Sequence, residues 1–171
     1  IDKNNKKAHI DFESCFRQHY GIDLMADHIK QSLAEKPIRI LLVDDQQVIL
    51  WGLKKFFESE KPRIEIVGSA SNVSDAKRIA AEINPDIIIL NIYIDNTDCI
   101  KLIPDLTNHG NTRIVIFSEM NDKDMMDRAI LSGARGVIHR KESMETILRA
   151  VEKIHDGELW LDRITTGRIF L

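Results

Sequence analysis

Cysteine and long apolar runs are both scarce in this chain. Its 171 residues include only Cys15 and Cys99, too few and too irregularly placed for a disulfide framework, which favours a reducing, cytoplasmic setting. The longest apolar runs, such as Ile87–Leu90, are far too short to span a bilayer, so no membrane association is expected. The six histidines have no metal-ligand spacing, and this argues against a zinc-type centre.

An excess of charge of either sign is also missing. A formal net charge of −3 gives no general attraction for nucleic acid or anionic membranes. Any contact with DNA is therefore expected to come from a domain outside this chain. Apolar residues make up 43% and charged residues 30%, which is the composition of a globular protein with a buried core.

Short apolar strands alternate with amphipathic helices between residues 38 and 157. This alternation predicts a parallel sheet covered by helices on both faces. Predicted N-caps are Ser74, Asp122 and Ser143, whose side chains can accept from the first free backbone N–H groups of a helix. Five βα units predict a flavodoxin-like, three-layer α/β fold with strand order 2-1-3-4-5. The predicted strands are residues 38–43, 64–67, 87–90, 114–117 and 136–139.

Two flanking segments differ from this pattern. Residues 1–36 are predicted to form an N-terminal extension of two helices, because apolar residues recur at helical spacing over 12–20 and again over 25–33. We expect these stripes to pack against the domain, a second copy or an upstream domain. The domain itself is predicted to span residues 37–157, and residues 158–171 to begin a C-terminal linker helix.

Chemistry-bearing residues follow several of the predicted strands. Since the carboxyl ends of parallel strands meet at one edge of the sheet, these side chains are expected to lie close together. The residues are Asp44, Asp45, Asn91, Ser118 and Arg140. This edge is the predicted functional site.

Residues 38–45 (IRILLVDD) and 86–91 (DIIILN) resemble the first and third strands of bacterial response-regulator receiver domains, which are CheY-like. Gly133-Ala134-Arg135-Gly136 before the fifth strand resembles the branch attached to helix-turn-helix domains, the LuxR/FixJ/NarL-type regulators. The resemblance implies an acidic pair that holds Mg²⁺ and a third-strand aspartate that accepts a phosphoryl group. It also implies a Ser or Thr and a Lys that bind the phosphoryl oxygens.

This sequence departs from the family at several of those positions. Asp44, Asp45 and Ser118 match, but Asn91 stands where the family has the phosphoacceptor aspartate and Arg140 where it has Lys. Further departures are Glu119 for a small residue, Asp95 for Pro, Cys99 for Gly and Val137 for the aromatic residue whose rotation reports activation. An amide is a poor nucleophile and carries no charge for a divalent cation. We therefore expect weakened Mg²⁺ affinity and no other cofactor.

These departures predict a non-enzymatic pseudo-receiver that signals without phosphorylation. Arg140 is expected to take the place of the metal through a bidentate bridge to Asp44 or Asp45. The predicted partners are a second copy of the chain and a histidine kinase or another signalling protein. DNA is expected to be bound only by a helix-turn-helix domain that would follow Leu171 in a longer protein.

The sequence leaves three alternatives open. The first is a conventional phosphorylated receiver that carries an Asp-to-Asn change at residue 91, and the second is a surrogate acceptor at Asp95 or Asp98. The third is a receiver that responds to cyclic di-GMP. Gly157-Glu158-Leu159-Trp160-Leu161-Asp162-Arg163 is similar to the nucleotide-binding element of some relatives, with Trp160 and Arg163 as its contacts. A flavodoxin-like enzyme is disfavoured because no Gly-rich phosphate loop is present.

Overall fold

The computed structural model describes residues 36–107, 110–119 and 122–170, without the side chains of residues 164 and 170. The predicted helical extension over residues 1–36 lies outside the described residues except for Lys36, and Cys15 does too. None of the helices in the described part has the length and apolar character needed to cross a membrane. The domain boundary after residue 36 stays a prediction.

Five parallel strands form the central sheet. They are β1 (Ile38–Val43), β2 (Ile64–Ala70), β3 (Ile87–Leu90), β4 (Arg113–Ser118) and β5 (Gly136–His139). Their order is β2-β1-β3-β4-β5, which confirms the predicted flavodoxin-like α/β fold. β2 is longer than predicted because Gly68 and Ser69, which lack an apolar signal, still pair with Leu41 and Leu42 beyond a register shift.

Six α-helices occur in the described residues. They are α1 (Gln47–Glu58), α2 (Val73–Ile83), α3 (Ile103–Thr107), α4 (Lys123–Leu131), α5 (Met144–His155) and α6 (Arg163–Phe170). Asp122 and Ser143 cap α4 and α5 as predicted. The prediction for Ser74 is wrong: Asn72 caps α2, since its extended backbone lets its side chain accept from Asp75 N, and Ser74 lies within the first turn.

The sheet is covered on both faces because successive strand residues point to opposite sides. Each strand contributes apolar residues to both layers, which explains why β1, β3 and β4 are almost continuously apolar. One layer combines Leu41, Ile88 and Ile114 with α2, α3 and α4 residues such as Ala80, Ile103 and Ala129. The other combines Ile40, Ile87 and Val115 with α1 and α5 residues such as Phe57 and Val151.

The connection between β3 and α3 contains an element that the sequence did not predict. Tyr93–Ile94 and Thr97–Asp98 pair as a two-stranded antiparallel hairpin, followed by a 3₁₀ helix, Cys99–Leu102. Its two-residue turn consists of Asp95 and Asn96, whose φ angles are 48° and 59°. Asp and Asn tolerate this left-handed conformation, and two such residues in succession suit a tight hairpin turn. The hairpin is too short to show a strand-like periodicity.

Gly136 is required at the start of β5 by close packing. A Cβ added there would lie 2.7 Å from Ile154 Cδ1 and 2.9 Å from Trp160 Cβ. We therefore expect Gly136→Ala to lower the free energy of unfolding by about 1–3 kcal/mol, as overpacking does. Urea denaturation followed by circular dichroism measures this change.

A matched control is Gly52→Ala, because Gly52 lies inside α1 and its added Cβ would meet nothing within 4 Å. That substitution should raise stability by about 0.5–1 kcal/mol through helix propensity. Equal effects at the two positions would contradict the packing argument for Gly136.

Candidate functional site

A cavity of about 170 Å³ opens at the carboxyl edge of the sheet, where β1, β3, β4 and β5 end. Four of the residues chosen from the sequence line it, whereas Asp44 lies buried beside it. The lining residues are Asp45, Gln46, Asn91, Ile92, Tyr93, Asn96, Ser118, Glu119 and Arg140. The topology thus brings residues from four separate strand ends into one site.

Asp44 and Arg140 form a buried ion pair at this edge, with side chains that are 4% and 9% exposed. Arg140 Nη2 donates to Asp44 Oδ2, and Gln46 N donates to Asp44 Oδ1 at 2.9 Å. A single bond to Oδ2 therefore replaces the predicted bidentate bridge, and the second carboxylate oxygen accepts from the start of α1. Burial raises the pKa of Asp44, while the hydrogen bond from Gln46 and the charge of Arg140 act in the opposite direction.

Arg140 is held in place by several further contacts. Its backbone N–H donates to Ser118 O at 3.0 Å, which joins the ends of β4 and β5. Its guanidinium carbon lies 5.7 Å from the centre of the Phe117 ring, within the range of a cation–π contact. Its Nε is buried and has no hydrogen-bond partner among the described residues. A buried donor without a partner costs free energy, and the ion pair with Asp44 must offset this cost.

Asp45 is bound by the amide that follows β3. Asn91, which is 8% exposed, directs Nδ2 toward Asp45 Oδ1 at 3.4 Å. Asp95 N, in the hairpin turn, donates to Asp45 Oδ2 at 3.1 Å. All four carboxylate oxygens of Asp44 and Asp45 therefore accept hydrogen bonds from the protein's own N–H groups.

The comparison with known families agrees with this fold. The family described as "Response regulator receiver domain" matches residues 40–152, which include every strand-end residue of the cavity. The chain belongs to the response-regulator receiver family.

Its relatives are transcription regulators of the LuxR/NarL type. The chain is 28% identical over 133 residues to the transcriptional regulatory protein LiaR of Bacillus subtilis, covering 77% of this chain and 63% of LiaR. It is 29% identical over 133 residues to the nitrate/nitrite response regulator NarL of Escherichia coli, covering 77% of this chain and 61% of NarL. The chain thus spans about three fifths of the length of these relatives.

Solved structures support the same fold. A LuxR-family two-component response regulator from Aurantimonas has a TM-score of 0.69 at 24% identity, covering 78% of this chain and 95% of that one. The signal receiver domain of NarL from Mycobacterium tuberculosis has a TM-score of 0.67 at 19% identity, covering 72% of this chain and all of that one.

The residues of this receiver do not fit the Mg²⁺ centre that the family implies. A carboxylate acceptor requires the donor nitrogen of Asn91 to face Asp45, so the amide oxygen is turned away from the acidic pair. Arg140 already neutralises Asp44. Among the described residues, no group of three or more His, Cys, Asp or Glu side chains could hold a metal ion. The acidic pair is thus bound to protein donors rather than arranged as a cation cage.

Glu119 and His139 form a contact at the rim that the sequence did not predict. Lys141 N donates to His139 Nδ1 at 3.1 Å, which places the ring proton on Nε2, and Nε2 lies 3.0 Å from Glu119 O. This contact joins the segments that follow β4 and β5. This contact could not be predicted from the sequence, because His139 has no feature there beyond its place as the last residue of a strand.

Val137, Trp160 and Arg163 lie away from the cavity. Val137 is half-buried, and its N–H donates to Trp160 O at 3.1 Å, so the segment after α5 pairs with the outer edge of β5. The Trp160 ring packs against the core and lies 5.7 Å from the guanidinium carbon of Arg149. Arg163 is exposed at the start of α6. These contacts give Trp160 a packing role, and nucleotide binding by Trp160 and Arg163 stays a prediction.

Proposed function

We propose that this receiver signals without phosphorylation, through protein contacts that include its own dimerisation. It would be a non-enzymatic, cytoplasmic part of a LuxR/NarL-type transcription regulator whose DNA-binding domain lies outside the chain. A histidine kinase or another signalling protein is the proposed input partner. The conventional phosphorylated receiver with an Asp-to-Asn change at residue 91 remains the rival, and one experiment separates the two.

The observation that carries the proposal is the state of the acidic pair. In a phosphorylated receiver, Asp44 and Asp45 would need a divalent cation to offset their charge. Here Arg140, Asn91 and two backbone N–H groups bind all four of their oxygens. Arg140 therefore supplies, beside Asp44, the positive charge that a cation would otherwise provide.

The chemistry of the third-strand position supports the same proposal. An amide nitrogen has no lone pair free for attack on phosphorus, and Asn91 also directs that nitrogen toward Asp45. Glu119 lines the cavity beside Ser118 and adds a negatively charged residue to the lining. Both features oppose phosphoryl transfer, which depends on compensation of negative charge.

A contact-based signal also requires exposed surface. Val48 and Trp51 lie one helical turn apart on α1, with 72% and 64% of their surface exposed. Large apolar side chains at such exposure are suited to contact with another protein. Val48 lies two residues after Gln46, which lines the cavity, so a partner on α1 would lie close to the acidic pair.

The test is labelling by radioactive acetyl phosphate in the presence of Mg²⁺. We expect no label on the wild-type chain and an unchanged sedimentation profile after treatment. Asn91→Asp should accept little label while Arg140 still occupies Asp44, and the Asn91→Asp/Arg140→Lys variant should accept clearly more. Mass spectrometry of the labelled peptide would locate the acceptor.

Label on the wild-type chain would overturn the proposal. Asp95→Asn and Asp98→Asn are the matched controls for that outcome, because loss of label in either would identify a surrogate acceptor. Full labelling of Asn91→Asp alone, at the level of the double variant, would instead favour the conventional receiver and remove the role assigned to Arg140.

A further inference from the structure

The helix at the end of the described chain packs onto the receiver. α6 contacts α4, and Thr165 in its first turn is only 6% exposed. Leu161 and Ile169 are half-buried against the same core layer that contains Ile130 of α4. Asp162 Oδ1 accepts from Thr165 N at 2.6 Å and so caps the helix. α6 therefore covers one side of α4 instead of standing free.

An ion pair fastens α6 to the middle of α4. Arg168 Nε and Nη2 donate to the two carboxylate oxygens of Asp127 at 2.8 and 2.7 Å. The side chains are 32% and 21% exposed, so the pair is partly shielded from water. A bidentate ion pair of this kind is stronger and more directional than an ordinary surface ion pair.

The same turn of α4 also contacts the hairpin beside the cavity. Tyr93 OH lies 3.4 Å from Met125 Sδ, and Arg128 Nη2 donates to Asp98 Oδ2 at 2.9 Å. Met125, Asp127 and Arg128 are within four consecutive residues, so one turn of α4 carries both sets of contacts. A displacement of the hairpin would therefore move the residue that binds α6.

We propose that α6 is a strap that covers one side of α4. The Arg168–Asp127 ion pair, here called the latch, holds the strap closed, and the hairpin's contacts with α4 control it. While the strap is closed, the covered side of α4 is hidden from partners, and a partner that displaces the hairpin opens it. This inference goes beyond the proposed function, because it concerns how a signal leaves the domain and does not depend on whether Asn91 accepts a phosphoryl group.

Hydrogen exchange of the α6 backbone tests the latch, since an undocked helix of this length is only marginally stable. Arg168→Gln and Asp127→Asn should each speed exchange across α6 by about tenfold. The double variant should be no faster than either single variant, because both remove the same interaction.

Arg163→Gln, on the same helix but exposed, is the matched control and should leave the rate unchanged. Wild-type rates in both single variants, or additive effects in the double variant, would overturn the latch.

A second substitution tests the control by the hairpin. Asp98→Asn removes the charge that binds Arg128 but keeps an oxygen for Ile100 N, so the 3₁₀ helix retains its cap. It should speed exchange in α6 by about threefold, although Asp98 lies outside both helices. Asp105→Asn is its control, because it breaks an exposed ion pair with Lys77 that does not involve α4. An unchanged α6 rate in Asp98→Asn would overturn control of the strap by the hairpin.

Discussion

Replacing Arg140 by Met should lower the free energy of unfolding by about 3–5 kcal/mol, the cost of leaving one partner of a buried ion pair alone. Met retains most of the aliphatic length of Arg and removes the charge. Asp44 would then be a buried carboxylate that keeps only the hydrogen bond from Gln46 N. Equilibrium denaturation in urea at neutral pH measures the loss.

Lys141→Met is the matched control, because Lys141 is the next cationic residue and is exposed. Its effect should stay below about 0.5 kcal/mol, as for most surface substitutions. A second variant, Asp44→Asn/Arg140→Met, removes both charges and should recover much of the stability. Equal losses for Arg140→Met and the double variant would show that the guanidinium contributes by packing alone.

The loss in Arg140→Met should also depend on pH. Burial already raises the pKa of Asp44, and removal of Arg140 takes away two of the interactions that lower it. In the variant, the folded-state pKa lies above the unfolded-state pKa, so the folded protein binds more protons and its stability rises as pH falls through the folded-state pKa. The deficit should therefore be largest near pH 8 and smaller near pH 5, as urea denaturation at both values would show. A deficit that is the same at both would contradict the assignment to the Asp44 carboxylate.

The fold could be read from the sequence because its signals are local and repeated. β1, β3 and β5 begin and end at the predicted residues, since each is a short run rich in apolar residues that a charged or polar residue follows. The hairpin was missed because its strands have two residues each and its turn depends on backbone angles. The N-cap of α2 was misplaced for a related reason: both Asn72 and Ser74 can cap, and only the backbone decides between them.

The strand-end residues of the site were predictable, but the hydrogen bonds between them were not. Parallel topology was enough to bring Asp45, Asn91 and Arg140 to one edge. Which carboxylate oxygen accepts from which donor depends on backbone positions that the sequence does not specify, such as those of Gln46 N and Asp95 N. For this reason the predicted bidentate geometry of Arg140 was wrong, although its pairing with Asp44 was one of the two pairings predicted.

Asn91→Asp should convert the cavity from one that needs no cation into one that Mg²⁺ partly stabilises. The substitution replaces the Nδ2 donor, 3.4 Å from Asp45 Oδ1, with a second carboxylate oxygen at a buried position. Without metal we expect a loss of about 3 kcal/mol, from like-charge repulsion and an unpaired buried charge. Mg²⁺ at about tenfold excess over its Kd should restore about 1.4 kcal/mol by mass action. Thermal denaturation with and without Mg²⁺ measures both effects.

Asn96→Asp provides the control for this experiment, because it adds the same charge to the lining of the same cavity from an exposed turn position. It should change stability by less than about 0.5 kcal/mol and gain no dependence on Mg²⁺, since Asp also tolerates the left-handed backbone found there. The wild-type melting temperature should likewise not respond to Mg²⁺, because Arg140 already supplies the positive charge at Asp44. A wild-type chain stabilised by Mg²⁺ as much as Asn91→Asp would mean that the acidic pair still binds metal, and that the amide alone does not separate this receiver from its phosphorylated relatives.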